Sequence, residues 1–103
     1  MSNLVFTTAQ ELATRISHRQ VSATEVLEAH LAQIALHNPP LNAIVTLDEE
    51  RARIRAEEAD LALARGEVWG PLHGVPITIK DALETAGLRT TGGFPPLTEH
   101  IPT

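Results

Sequence analysis

One segment of this 103-residue chain alternates apolar and polar side chains, and it stands alone. In Val75-Pro76-Ile77-Thr78-Ile79-Lys80, Val75, Ile77 and Ile79 fall on one face and Pro76, Thr78 and Lys80 on the other. That is the two-residue period of a β-strand. A strand needs a neighbour for its amides and carbonyls, and no evident partner for it exists elsewhere in the sequence. Pro76 has no N–H to donate, so it belongs at the strand's start or where no ladder bond falls. The segment ends on the chain's only lysine, Lys80, followed by Asp81. One strand is not a sheet, so the pattern predicts helices first and then a strand whose partners are not evident.

The residues before Trp69 carry helical signals. Thr8-Ala9-Gln10-Glu11 and Ser22-Ala23-Thr24-Glu25 both fit a capping box, in which a hydroxyl and a carboxylate satisfy the free amides at a helix start. Ala9, Leu12, Ala13 and Ile16 follow the first. Ala23, Val26, Leu27, His30, Leu31 and Ile34 follow the second, each set at helical spacing. The second helix is expected to stop before Asn38-Pro39-Pro40, which makes residues 7–38 a helical hairpin. Leu41 to Leu47 reads as a brief strand or an extended lead-in to a third helix over 47–66, with acids at its start and Gly66 as its stop. That helix has two apolar lines, Ala52/Ala56/Ala59/Leu63 and Leu47/Ile54/Leu61, on nearly opposite sides, as for a helix lying between partners. A Lys-bearing strand and loop over 69–93 and an irregular end over 94–103 complete a single segment, 1–103.

Composition narrows the function classes. The chain is 43% apolar and 20% charged with a net charge of −5, which fits neither a disordered tail nor a membrane protein. Four of its seven Arg lie among six carboxylates between Asp48 and Arg65, a mixed-sign solvated face rather than a basic stripe, so nucleic acid is not an expected direct partner. No apolar run reaches the roughly 20 residues that span a bilayer, and no secretory leader is evident. With no cysteine, a disulfide framework, a thiolate metal site and a Cys nucleophile are excluded, and a cytoplasmic setting is expected. His18, His30, His37, His73 and His100 show no metal-ligand spacing. His30 lies on an apolar helix face, where packing is the simpler reading, and His73 fits a structural hydrogen bond to the Gly/Pro turn. No metal and no cofactor are expected. Gly70 to Gly74 lacks the spacing of a phosphate-binding loop.

Lys80 is the residue with chemical promise. At the end of a buried apolar strand an amine loses hydration and moves toward the neutral, proton-accepting form; the plainer alternative is a strand-end lysine whose ammonium reaches water. Direct pairing with Asp81 is disfavoured, because successive strand residues point to opposite faces.

The string Gly70-Pro71-Leu72-His73-Gly74-Val75-Pro76-Ile77-Thr78-Ile79-Lys80-Asp81, continued by Thr85-Ala86-Gly87-Leu88-Arg89-Thr90-Thr91-Gly92-Gly93, resembles the opening motif of the amidase signature family. The upstream helices are similar to that family's N-terminal region. The resemblance implies an α/β fold, a large mixed sheet flanked by helices, of which this chain is an incomplete piece: the N-terminal helices and the first catalytic-site strand. It implies hydrolysis of a small-molecule amide through an acyl-serine intermediate by a serine–cis-serine–lysine triad, with Lys80 in the place of the base. Thr90, Thr91 and Gly92 are candidates to face a bound carbonyl, or else form a glycine-permitted turn. Ala82 stands where many relatives carry a polar residue.

The family's Gly/Ser-rich turn, with its oxyanion amides and nucleophile, is not in these residues. Ser2 opens the chain, Ser17 falls inside the first helix and Ser22 caps the second. The chain therefore reads as an N-terminal portion that carries the base without the nucleophile and is inactive alone, its partner being the remainder of the domain or another copy. Two other readings stand beside amide hydrolysis. One is the A-type subunit of a glutamine-dependent aminoacyl-tRNA amidotransferase. The other is a non-catalytic fragment or assembly module.

Overall fold

The computed structural model describes residues 3–103, and among them the regular elements are all helical. Helix α1 spans Ala9–Ser17, α2 Ala23–Leu41 and α3 Glu49–Ala64, with short 3₁₀ turns at Leu4–Phe6 and Pro95–Leu97. Each α-helix starts on a side chain that accepts from an amide three residues on. Thr8 accepts from Glu11 at 3.1 Å, Ser22 from Glu25 at 2.9 Å and Asp48 from Arg51 at 3.2 Å. α1 and α3 end alike, with Arg19 at φ 57° and Gly66 at φ 79°. The next amides return to last-turn carbonyls, Gln20 to Arg15 at 2.9 Å and Glu67 to Ala62 at 2.8 Å. Glycine adopts that backbone freely. Arg19 does not, and its guanidinium donates to the Leu63 carbonyl, which ties the end of α1 to the end of α3.

α2 outruns the stop expected at Asn38-Pro39-Pro40 and continues to Leu41. Proline's fixed φ is a helical value; what it removes is an N–H, and in a last turn that loss leaves the upstream ladder intact. The stop is Asn42 instead, left-handed at φ 49° and ψ 40°. Asn38 then brackets Ile44, donating to its carbonyl at 3.0 Å and accepting from its amide at 2.9 Å. Residues 43–48 run extended into α3 without strand pairing.

Two apolar clusters hold the helices together. Leu12, Ile16, Val21, Val26 and Leu63 pack with Leu4 and Val75, and Ala23, Leu27, Leu31, Ala56 and Ala59 pack with Ile34 and Ala52. The alanine line of α3 therefore faces α2 at close range. Its other line is uncovered among the described residues, since Ile54 and Leu61 are exposed. Between the helices lies a part-buried carboxylate. Asp60 of α3 accepts from the Ala23 amide at 2.7 Å, the Thr24 amide at 3.1 Å and the Thr24 hydroxyl at 2.7 Å. It satisfies first-turn donors of α2 that have no partner within their own helix, and it places negative charge at the positive end of the helix dipole.

The expected strand is absent, and this corrects the α/β assignment. Among the described residues there is neither strand nor bridge, so no first catalytic-site strand and no sheet stand in this segment. Val75 packs on the core, but beyond it the chain is irregular and unpaired, with Ile77 71% and Ile79 47% exposed. Alternation of polarity was not enough: Ile77 and Ile79 are as uncovered as Thr78 and Lys80. A ladder also requires a second extended chain at hydrogen-bonding distance, and the helices around this segment supply none.

Removing the Asp60 carboxylate would leave two part-buried amides without acceptors. Asp60→Ala is expected to destabilise the fold by about 1–3 kcal/mol, and each kcal/mol lowers Tm by roughly 4–8 °C in a domain of this size. Asp60→Asn, which keeps one acceptor oxygen, should lose less. A thermal melt followed by helix circular dichroism measures both, and an unchanged Tm in Asp60→Ala would refute the clamp.

Candidate functional site

The segment leading to Lys80 is anchored by a buried imidazole. His73 Nδ1 accepts from the Trp69 amide at 3.0 Å, so the ring proton resides on Nε2, which donates to the Ala59 carbonyl of α3 at 2.9 Å. The Trp69 ring lies 4.7 Å from the His73 ring, and the Arg55 guanidinium sits 3.9 Å over the indole. Gly74, at φ 81°, completes the turn. A Cβ there would meet Ala23 Cβ at 3.0 Å and Ile16 Cγ2 at 3.1 Å, so only glycine lets the backbone lie this close to α1 and α2. His73 thus has the structural hydrogen-bonding role, and both of its ring nitrogens are occupied.

Beyond Val75 the chain leaves the core, and Lys80 is exposed rather than buried. The burial expected of a strand-end lysine is not found, because residues 76–80 form no strand and pack under no sheet among the described residues. No carboxylate pairs with the Lys80 amine among the described residues. Asp81 turns to the Thr-Thr-Gly-Gly turn instead. Its carboxylate accepts from the Thr91 hydroxyl and, at 2.9 Å, from the Thr91 amide, while its carbonyl accepts from the Gly92 amide at 3.0 Å. The Thr91 hydroxyl, then the Thr91 amide, hold the Asp81 carboxyl below the usual carboxylate range.

The threonine hydroxyls bond within this turn. The Thr91 hydroxyl donates to Asp81 and accepts from the Gly93 amide at 3.2 Å. Thr90 is buried, and its hydroxyl donates to the Leu88 carbonyl at 3.0 Å. Both hydroxyls hold the turn together; Gly92, exposed at φ 59°, keeps the open side. The tail continues the tie, since the Gly87 amide reaches the Pro102 carbonyl and the Thr90 amide the His100 carbonyl, both at 2.9 Å. Arg51 of α3 secures this loop to the helices through the Gly87 carbonyl at 2.8 Å.

Lys80 lines an open cleft of about 1510 Å³ with mostly apolar walls, formed by α2, α3, residues 43–48 and the 69–90 segment. His30 is on the α2 wall with Nδ1 2.7 Å from the Val26 carbonyl, a packed histidine engaged by its own helix. Ser17 donates to the Thr14 carbonyl at 2.9 Å and Ser22 caps α2, so each serves its helix; Ser2 lies outside the described residues. No cluster of three His, Asp or Glu suited to a metal occurs among the described residues, and no described helix is long and apolar enough to cross a membrane.

Sequence reasoning did not find the Asp81–Thr91 tie, the Arg51 bridge or the second bond of His73. Each joins residues too far apart for a periodic pattern to report. The tie has a pH signature. Because the Asp81 pKa is lowered on folding, its contribution is complete above the ordinary aspartate value of about 3.9 and is lost as pH falls through the lowered folded value. The Thr91 amide should therefore keep its chemical shift and protection through the ordinary carboxylate range and lose both only at more acid pH. Asp81→Asn should abolish that titration with the helices intact. NMR of Thr91 and Gly92 reads both outcomes.

Comparison with known proteins gives this geometry its relatives. The chain is 45% identical over 102 residues to the A-type subunit of the glutamyl-tRNA(Gln) amidotransferase of Acidothermus cellulolyticus, covering 99% of this chain and 20% of that protein. It is 40% identical over 101 residues to the acylamidase of Rhodococcus erythropolis, covering 98% and 21%. It is 40% identical over 95 residues to an amidase of Pseudomonas putida, covering 92% and 20%. The chain thus spans about a fifth of the length of the curated relatives it matches. The family model described as Amidase matches residues 25–103, from the first turn of α2 through the Lys80 segment and the Asp81–Thr91 tie, and the chain belongs to the amidase family.

Proposed function

We propose that this chain supplies the general base of a serine amidase that cleaves the C–N bond of a carboxylic amide, with Lys80 as that base. The carrying observation is the placement of Lys80: a lone amine on an apolar cleft, with no carboxylate paired to it, inside the part of the chain that the family model matches. To act, the amine takes a proton relayed by a neighbouring serine from the nucleophilic serine. The nucleophile's Oγ then bonds to the amide carbon. The C–N bond breaks as the proton passes to the leaving nitrogen, and water releases the acid from the acyl-serine. An apolar cleft suits an amide with a hydrocarbon acyl part, whose burial is favourable.

On this reading neither Ser17 nor Ser22 is the nucleophile or the relay. Ser17 and Ser22 are engaged as helix-terminal hydrogen-bonding groups, and neither sits in a glycine-rich turn. The isolated 103-residue chain is therefore expected to release no ammonia from aliphatic or aryl amides above background. Turnover that Ser17→Ala or Ser22→Ala abolishes would overturn this.

The base assignment is tested in the full-length amidase bearing these residues. Arg holds its charge at every working pH, so Lys80→Arg should be nearly as damaging as Lys80→Ala. Each should lower kcat/KM by about 10²–10⁴-fold with the thermal melt unchanged. A folded Lys80→Arg enzyme that keeps most of its activity removes Lys80 from the mechanism.

A second reading is favoured by one observation, the 45% identity to the A-type component of an amidotransferase over nearly the whole chain. There the amide would be glutamine, and ammonia would pass to a partner protein rather than to water. Comparing ammonia release from glutamine with that from simple amides separates the two.

A further inference from the structure

We propose that Asp81 and Thr91 form a positioning device that keeps the carboxylate next to the general base away from the Lys80 amine. The inference rests on the reading of Lys80 as base. Lys80 is exposed and Asp81 half-buried, both outside the core. With no strand to hold their side chains on opposite faces, the two are free to form a local ion pair, which would stabilise the ammonium against giving up its proton. In this structure the carboxylate is already engaged. Thr91 supplies both a hydroxyl and an amide donor to its two oxygens, and the Gly92 amide binds the Asp81 carbonyl and fixes the backbone from which it projects. The Gly93 amide donates in turn to the Thr91 hydroxyl, so the oxygen's proton is directed at Asp81. The depressed pKa of Asp81 agrees with a carboxylate held in its charged form by these donors. Asp48 and Glu84 are likewise taken, by Arg51 and His100. Thr91 thus acts through Asp81, and Asp81 by being held away from Lys80; neither needs to touch substrate.

Because Lys80 is the chain's only lysine, its amine can be followed in the 103-residue chain without any turnover, so the result is independent of the Lys80→Arg test. The probe is the rate at which acetic anhydride acetylates Lys80 at mildly alkaline pH and low salt, read by peptide mass spectrometry apart from the N-terminal amine. Thr91→Val, which keeps the shape and removes the hydroxyl, should loosen the carboxylate and slow acetylation by about 1.5- to 5-fold, the worth of an exposed ion pair. Thr91→Ser should react as the parent does. The pair Asp81→Asn with Thr91→Val should return the parent rate, and salt at about 1 M should erase the difference, because the screening length falls to about 3 Å. Asp81→Glu, whose longer side chain no longer matches the Thr91 donors, provides a second slow variant should Thr91→Val disturb the loop. An unchanged rate in both Thr91→Val and Asp81→Glu overturns the proposal. So does a slow rate that persists in the double variant or in high salt, since a merely structural defect would respond to neither.

Discussion

The grip of Asp60 on the first turn of α2 is the contact on which the rest of the molecule depends. The alanine line of α3 brings the two helices close, but Ala52, Ala56 and Ala59 repeat so evenly that they would receive α2 almost as well one turn along. Alanine methyls also bury little area, at about 0.8 kcal/mol per CH₂-sized group, whereas a hydrogen bond to a charged group is worth about 1.5–3 kcal/mol. Asp60 makes three, all to the end of one helix. The apolar contacts therefore supply attraction, and Asp60, with the exposed Glu28–Arg53 pair between the same helices, supplies register. Register matters because the carbonyl of the preceding residue, Ala59, receives His73. A slip of α3 by one turn, about 5.4 Å, would displace the Trp69–Gly74 turn and everything that follows it.

What the sequence made legible was local. Thr8, Ser22 and Asp48 announce helix starts because the cap and its amide are three residues apart, and Gly66 announces a stop for the same reason. The prolines misled, since Pro39-Pro40 is forbidding in a helix interior and tolerable in a last turn, and only the Asn38–Ile44 bracket beyond them tells which applies. Val75 to Lys80 misled differently. Alternation reports that two faces differ in polarity; it carries no information about a hydrogen-bonding neighbour. Asp60 was illegible for a related reason. It lies inside a run of charges that reads as a solvated face, and its partners are 36 and 37 residues away.

The candidate site was legible as a string of residues and not as a set of bonds. The Gly/Pro punctuation marked where the backbone turns, and Lys80 stood out as the sole lysine. Thr90 and Thr91 were attractive because hydroxyls beside glycines can meet a carbonyl. Their hydroxyls bond within the turn, to Leu88 and to Asp81. The distinction could not be drawn from spacing, because a ten-residue separation between Asp81 and Thr91 corresponds to no secondary-structure period. The chemistry was in the sequence, but the loop closure that assigns it was not.

The two ties also explain how a lysine can be placed without being enclosed. Upstream, His73 fixes the turn to α3; downstream, Asp81 fixes the loop to Thr91 and Gly92. The residues between span the gap without a sheet to support them, so Lys80 has an anchored backbone on both sides and a side chain that makes no ion pair among the described residues. Its four-carbon stem retains roughly 2 kcal/mol of rotamer entropy, which is lost only when the amine meets a fixed hydrogen-bonding partner. Backbone anchors of this kind hold the lysine's Cα in place while the last degrees of freedom of its side chain remain open. Effective catalysis needs those closed as well, because reacting groups must be held within about 0.5 Å of the productive geometry. Anchors at 73 and 81 therefore place the backbone on either side of Lys80, and a fixed hydrogen-bonding partner would have to orient its amine.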